Sequence, residues 1–233
     1  MAKLSLDFEK VWQRHVSLYR DLFARSLLML SQLKRLTGKE DDVSIILWGC
    51  LERTCKRYAK DKNQEIACPK FQVPVQSVSM AKRTSANALK KPDFTCFKYN
   101  PLTASEVALH IECKLLGKPK PSSHSWKFNE NYVTKGIRRF DSHTHQYGIN
   151  ATCGIMIGYI ISMTPKKIEA EVNDYQKKHL PDNTKIKFSF DATPLFQTRQ
   201  DIQRKYVKPD QFELIHFWVD LRNCYRLQPK LSD

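Results

Sequence analysis

The sequence predicts an α/β fold in which a mixed central sheet is flanked by helices, with an added helical segment at the N-terminus. Three observations carry this. A long stretch without proline or glycine has helical periodicity, two short extended segments follow one another with a turn between them, and a nearly continuous apolar run of strand length comes next. The chain of 233 residues is long enough for one main domain with appendages. Residues 1–40 read as an amphipathic helix, 41–190 as the core, and 191–233 as an extension of the same domain.

From Leu4 to Leu36 apolar residues recur at three- and four-residue spacing, including Phe8, Trp12, Val16, Tyr19, Phe23, Leu27 and Leu30. This is an amphipathic helix closed by Thr37-Gly38, whose apolar face is expected to pack on its own domain and is also the candidate docking surface for a partner. Glu40-Asp41-Asp42 then supplies cap and charge for a second helix over 43–60, with Glu52 in its middle. Pro69, Pro74 and the polar segment from Ser77 to Lys90 read as loop.

Pro92 to Tyr99 and Val107 to Leu116 are predicted strands joined across Asn100-Pro101, a hairpin. A basic loop, 117–123, contains Lys118 and Lys120, and a helix is expected over 129–140. The run beginning Cys153-Gly-Ile-Met-Ile-Gly has the apolarity of a central strand buried on both faces. Thr164-Pro165 opens a charged helix to about Lys178. Thr184 to Phe190 and Gln211 to Asp220 read as later strands, and the polar stretch between them as a short helix.

The bulk numbers narrow the function. Lysine and arginine outnumber the acids 39 to 24, a formal charge of +15 that favours a polyanion, with nucleic acid the first candidate. Seven cysteines without a CxxC pair read as free thiols in a reducing compartment, and a zinc site is disfavoured. Acidic residues near the N-terminus do not suit a signal peptide, and no apolar run is long enough to span a bilayer, so a cytoplasmic protein without a membrane partner is expected.

The chemistry concentrates in Ile111-Glu112-Cys113-Lys114-Leu115. Strand alternation puts Glu112 and Lys114 on one face and their neighbours in the core. The preceding strand begins at Pro92-Asp93, so a hairpin can bring Asp93 beside Glu112, with the Cys113 backbone carbonyl as a further oxygen donor. Two carboxylates and a carbonyl suit Mg2+ or Mn2+, which can neutralise a phosphodiester and acidify a water. Lys114 can orient that water, and Glu52 is expected to complete the ligand set directly or through water.

Pro92-Asp93 followed by Glu112-Cys113-Lys114 on an apolar strand, after a helix bearing Glu52, resembles the PD-(D/E)XK nuclease superfamily. The segment from Tyr132 to Phe140, with Tyr147-Gly148 and the strand around Gly154 to Tyr159, is similar to the helix and strand that follow the motif in restriction-like and phage-defence-associated members. The resemblance spans about Val43 to Ser162 and implies a restriction-endonuclease-like fold and Mg2+-dependent cleavage of DNA. It also implies a companion regulatory protein or homo-oligomer that gates the site. It assigns Asp93, Glu112, Lys114 and Glu52 to catalysis and suggests Lys135, Arg138 and Arg139 as nucleic-acid contacts, to which the basic loop beside the site adds Lys118 and Lys120. The rival reading is an inactive basic nucleic-acid-binding or scaffold subunit.

Overall fold

The computed structural model describes residues 2–75, 90–118 and 127–226. Among them the chain forms helices α1 (Ala2–Ser31), α2 (Glu40–Lys62), α3 (Phe128–Thr134) and α4 (Pro165–His179). The strands are β1 (Lys70–Phe71), β2 (Phe94–Asn100), β3 (Ser105–Leu116), β4 (Cys153–Ile160), β5 (Leu195–Gln203) and β6 (Gln211–Asp220). They make one mixed sheet in the order β1-β2-β3-β4-β6-β5. β2 and β3 form the expected antiparallel hairpin, β4 lies parallel to both β3 and β6, and β5 is antiparallel to β6.

Two cores sandwich this sheet. On one face Ile111, Cys113 and Leu115 of β3, Ile155, Ile157 and Tyr159 of β4 and Ile215, Phe217 and Val219 of β6 meet the apolar stripes of α1 and α2. On the other, Leu116, Met156, Ile160, Leu214 and Trp218 meet Tyr132, Val133, Ile137, Ile168 and Val172 from α3, α4 and a 3-10 helix (Ile137–Asp141). Every residue of β4 is buried, as a central strand covered on both sides must be. No helix of the described residues is long and apolar enough to cross a membrane.

The first helix spends its apolar face within the chain. Trp12, Tyr19, Leu22, Phe23, Leu27 and Leu30 are buried in the first core, so that stripe is covered in cis and is not a docking surface. Polar contacts fix its pose: Trp12 Nε1 donates to Thr152 Oγ1 (3.0 Å), Tyr19 OH to the Ala67 carbonyl (2.6 Å) and Ser26 Oγ to Thr54 Oγ1 (2.9 Å). It stops at Ser31 instead of reaching Leu36, because Leu36 bridges to Tyr225 and joins the core as extended chain.

Three other expectations are corrected. Residues 184–190 are not a strand. Asn173 of α4 both donates to the Ile186 carbonyl (2.8 Å) and accepts the Ile186 N–H (2.9 Å), and Glu169 accepts the Phe188 N–H (2.8 Å), so helix side chains take the backbone groups a ladder would use. The stretch before Gln211, expected as a helix, contains β5, whose burial alternates through Phe196, Gln200 and Ile202. Its inward glutamine hid the period-2 pattern.

The helix expected over 129–140 breaks at Gly136, where a Cβ would lie 2.4 Å from the Tyr132 carbonyl oxygen and 2.6 Å from Met156 Cε. The chain resumes as the 3-10 helix. Gly117 ends β3 for a similar reason: at φ +117° it abuts Ser162, with room for no side chain.

Candidate active site

Alternation along β3 puts Glu112 and Lys114 opposite the core-facing Ile111, Cys113 and Leu115. Asp93 sits one residue before β2, whose Phe94 is the partner of Ile111, so the hairpin register delivers its carboxylate to the same place. Asp93 Oδ2 accepts the Cys113 N–H at 2.6 Å. The three side chains are buried together, Asp93 at 7%, Glu112 at 1% and Lys114 at 7% exposure.

Lys114 Nζ donates to Glu112 Oε1, to the Cys113 carbonyl and to Glu40 Oε1, each at 2.6 Å. Arg139, from the 3-10 helix, donates to the same Glu112 oxygen. The other, Glu112 Oε2, is buried without a hydrogen-bond partner. Three carboxylates thus face two cations. Burial, reinforced by the charge of Glu112, pushes the Asp93 pKa well above the carboxylate range, and burial raises that of Glu112 despite Lys114 and Arg139. For Lys114 burial works against the charged form, but Glu112, Glu40 and Asp93 outweigh it and hold the ammonium protonated.

Glu40 is the residue that sequence reasoning missed. It stands at the start of α2, where its Oε2 accepts the Leu115 N–H at 3.1 Å while Oε1 takes Lys114. The acids at 40–42 had a sufficient reading as helix-terminal charge, and all three do stand in the first turn of α2, where Asp42 also caps by accepting the Lys39 N–H. Glu52 was the α2 carboxylate expected here. It lies twelve residues along, about 18 Å by helical rise, and its charge acts instead on the Cys55 and Cys68 thiols. The expectation of Glu52 in the ligand set is corrected to Glu40 beside Lys114.

Of the basic candidates among the described residues, Arg139 alone contacts the carboxylates. Lys135 and Arg138 are exposed and, with Thr134, Arg139, Ser142 and His145, line a cleft of about 350 Å³. Lys118 lies apart, paired with Glu171 (3.3 Å) in the middle of α4, and Lys120 is outside the described residues. His110 accepts the Gly148 N–H at 2.8 Å, and burial lowers its pKa to about 4, the behaviour of a neutral structural histidine. The segment after the 3-10 helix is braced by buried Arg204, which donates to the carbonyls of Phe140, Tyr147, Gly148 and Ala151. That segment contributes Tyr147, whose hydroxyl pKa is raised by burial and by Glu112.

All seven cysteines are free, and among the described residues no three His, Cys, Asp or Glu side chains are grouped to hold a metal ion. The donors that converge are two carboxylates and a backbone carbonyl, a set that suits a hard cation. The unpartnered Glu112 oxygen and the mutual repulsion of Asp93 and Glu112 are what such an ion relieves. No protein-family profile, curated protein or solved structure matches this chain. The geometry of the site therefore carries the functional reading.

Proposed function

We propose that the chain is a metal-dependent nuclease of the PD-(D/E)XK type with a restriction-endonuclease-like core, hydrolysing phosphodiester bonds of DNA. The observation that carries this is the buried meeting of Asp93 and Glu112 beside Lys114, with one glutamate oxygen left unpartnered. A buried carboxyl in excess over its cations holds a proton, as the raised Asp93 pKa indicates, until a cation takes that proton's place. Asp93, Glu112 and the Cys113 carbonyl are the residues that would hold Mg2+ or Mn2+. When bound, the ion neutralises phosphate charge and acidifies a water.

The side chains have separable tasks. Glu40 holds Lys114 together with Glu112, so the ammonium stays beside the carboxylate pair, where it can offset charge on a phosphate and orient a nucleophile. The N–H of Cys113 fixes the Asp93 carboxylate. Lys135, Arg138 and Arg139 present cations on one side of the site, and the formal charge of +15 favours approach of a polyanion. A companion protein or second copy that restrains cutting fits this activity, since an unrestrained nuclease is toxic.

The test is incubation of the purified chain with plasmid, linear duplex and single-stranded DNA in Mg2+, in Mn2+ and in chelator, with Glu112→Ala and Lys114→Ala as controls. Cleavage that needs the metal and both side chains is expected. DNA that is bound yet intact in Mn2+ supports the rival reading of a basic binding protein with a structural charge cluster.

A further inference from the structure

We propose that Arg139 is a mobile positioning residue: it neutralises Glu112 until a divalent ion binds, then turns into the neighbouring cleft to hold a phosphate of the nucleic acid. This deepens, and rests on, the nuclease reading above.

The two cations on Glu112 are not held alike. Lys114 has three oxygen partners, and one of them, Glu40, is itself fixed by the Leu115 N–H. If Glu112 and the Cys113 carbonyl turn to another cation, Lys114 keeps Glu40. The Arg139 side chain has Glu112 as its one ion-pair and hydrogen-bond partner among the described residues. Its side chain is 28% exposed while that of Lys114 is 8%, so it has a route to solvent. An ion that claims Glu112 brings a positive charge against the guanidinium at short range, and like charges at a few ångströms repel strongly at low dielectric. Arg139 is the member that can leave.

Its destination is the adjoining cleft. Arg139 lines the same cleft as Lys135, Arg138, Thr134, Ser142 and His145. Lys135 and Arg138 have no ion pair among the described residues, and Ser142 adds a hydroxyl, that of Thr134 being spent on the Glu130 carbonyl. His145, its pKa lowered to about 4 by burial and by Arg139, is neutral there and adds no competing charge at neutral pH. A planar guanidinium joining two cations and the Ser142 hydroxyl suits a phosphate oxygen pair better than a cation already committed to a carboxylate. Metal and nucleic acid then assist each other: the ion releases Arg139 to the phosphate, and the phosphate keeps it off Glu112.

Two measurements test this. Mn2+ affinity, read from the free-ion signal in electron paramagnetic resonance, is expected to rise about tenfold in Arg139→Gln, because a competing charge is gone. A phosphorothioate DNA duplex is expected to tighten Mn2+ binding in the unaltered chain and much less in the variant. The second measurement needs no variant: modification of Arg139 by phenylglyoxal, mapped by mass spectrometry, is expected to increase with Mg2+ and to fall when the duplex is added. A stationary arginine could also weaken ion binding, but it would not change its reactivity when the ion arrives. Unchanged reactivity, or Mn2+ affinity that is equal or lower in Arg139→Gln, overturns the mobile-arginine proposal while the metal site stands. No Mn2+ binding by either protein overturns the metal reading and this inference with it.

Discussion

Glu112 and His216 occupy the same cross-strand row on one face of the sheet, each opposite Met156 of β4, about 10 Å apart at the backbone by strand spacing. Both are buried, at 1% and 0% exposure, yet their surroundings differ. His216 Nδ1 pairs with the Tyr132 hydroxyl (2.8 Å) and Nε2 with Gln200 Oε1 (3.1 Å), and Gln200 Nε2 passes on to Gln176 (2.7 Å). That network is neutral and closed. Around Glu112 the groups are charged, unequal in number and missing one partner. Polar groups kept for structure can be satisfied in full, because nothing else has to bind them; a group kept for a ligand has to leave capacity unused.

The largest effect that separates the two centres is on catalysis. Glu112→Gln keeps the shape and removes the charge, and Mg2+-dependent DNA cleavage is expected to fall roughly a thousandfold while circular dichroism remains that of the folded chain. Cleavage within tenfold of the original would take this carboxylate out of the chemistry and erase the contrast. Gln200→Leu should do the reverse. It strands a ring nitrogen of His216 and the Oε1 of Gln176, at a cost of about 2–3 kcal/mol in urea unfolding, with the cleavage rate per folded molecule unchanged. Less than 0.5 kcal/mol lost would mean that the network contributes little to stability.

Acid offers a subtler probe of the closed centre. Burial lowers the pKa of His216 from 6.5 to about 3, and that of His110 from 6.5 to about 4. The unfolded chain therefore binds more protons than the folded one below pH 6.5, and stability falls as pH drops from there towards 3–4. Near pH 5 each histidine is expected to cost about 2 kcal/mol. His216→Gln should flatten that part of the stability curve by about half of the pair's joint contribution. A stability curve between pH 7 and 5 that is the same with and without His216 would contradict its neutral burial.

Much of this contrast could be read from the sequence where alternation governs it. Glu112 and Lys114 had to share a face, and a hairpin between 99 and 107 had to return Asp93 towards them. The helical pattern of α1 likewise identified the buried stripe. What escaped depended on where elements meet. Choosing among Lys135, Arg138 and Arg139 required the break at Gly136, after which the helix tightens and the angular phase changes. β5 was missed because its inward Gln200 serves the neutral network, so a buried position carried a polar letter.

The smallest expected effect concerns the two acids of α2, and it asks whether contact or helix membership decides function. Glu40 touches Lys114 from the first turn, whereas Glu52 lies three turns on, beside Cys55 and Cys68. Glu40→Gln leaves Lys114 with Glu112 and the Cys113 carbonyl, so the ammonium is retained but less firmly placed. Cleavage is expected to drop about tenfold, an effect of orientation, with the alkaline limb of the pH–rate profile moved down because one of the charges that hold Lys114 protonated is lost. Glu52→Gln is expected to change the rate less than twofold and to leave that limb in place. If the two variants behave alike, or if Glu52→Gln is the worse of them, α2 does not meet β3 through Glu40 in the working protein, and Lys114 is positioned by something else.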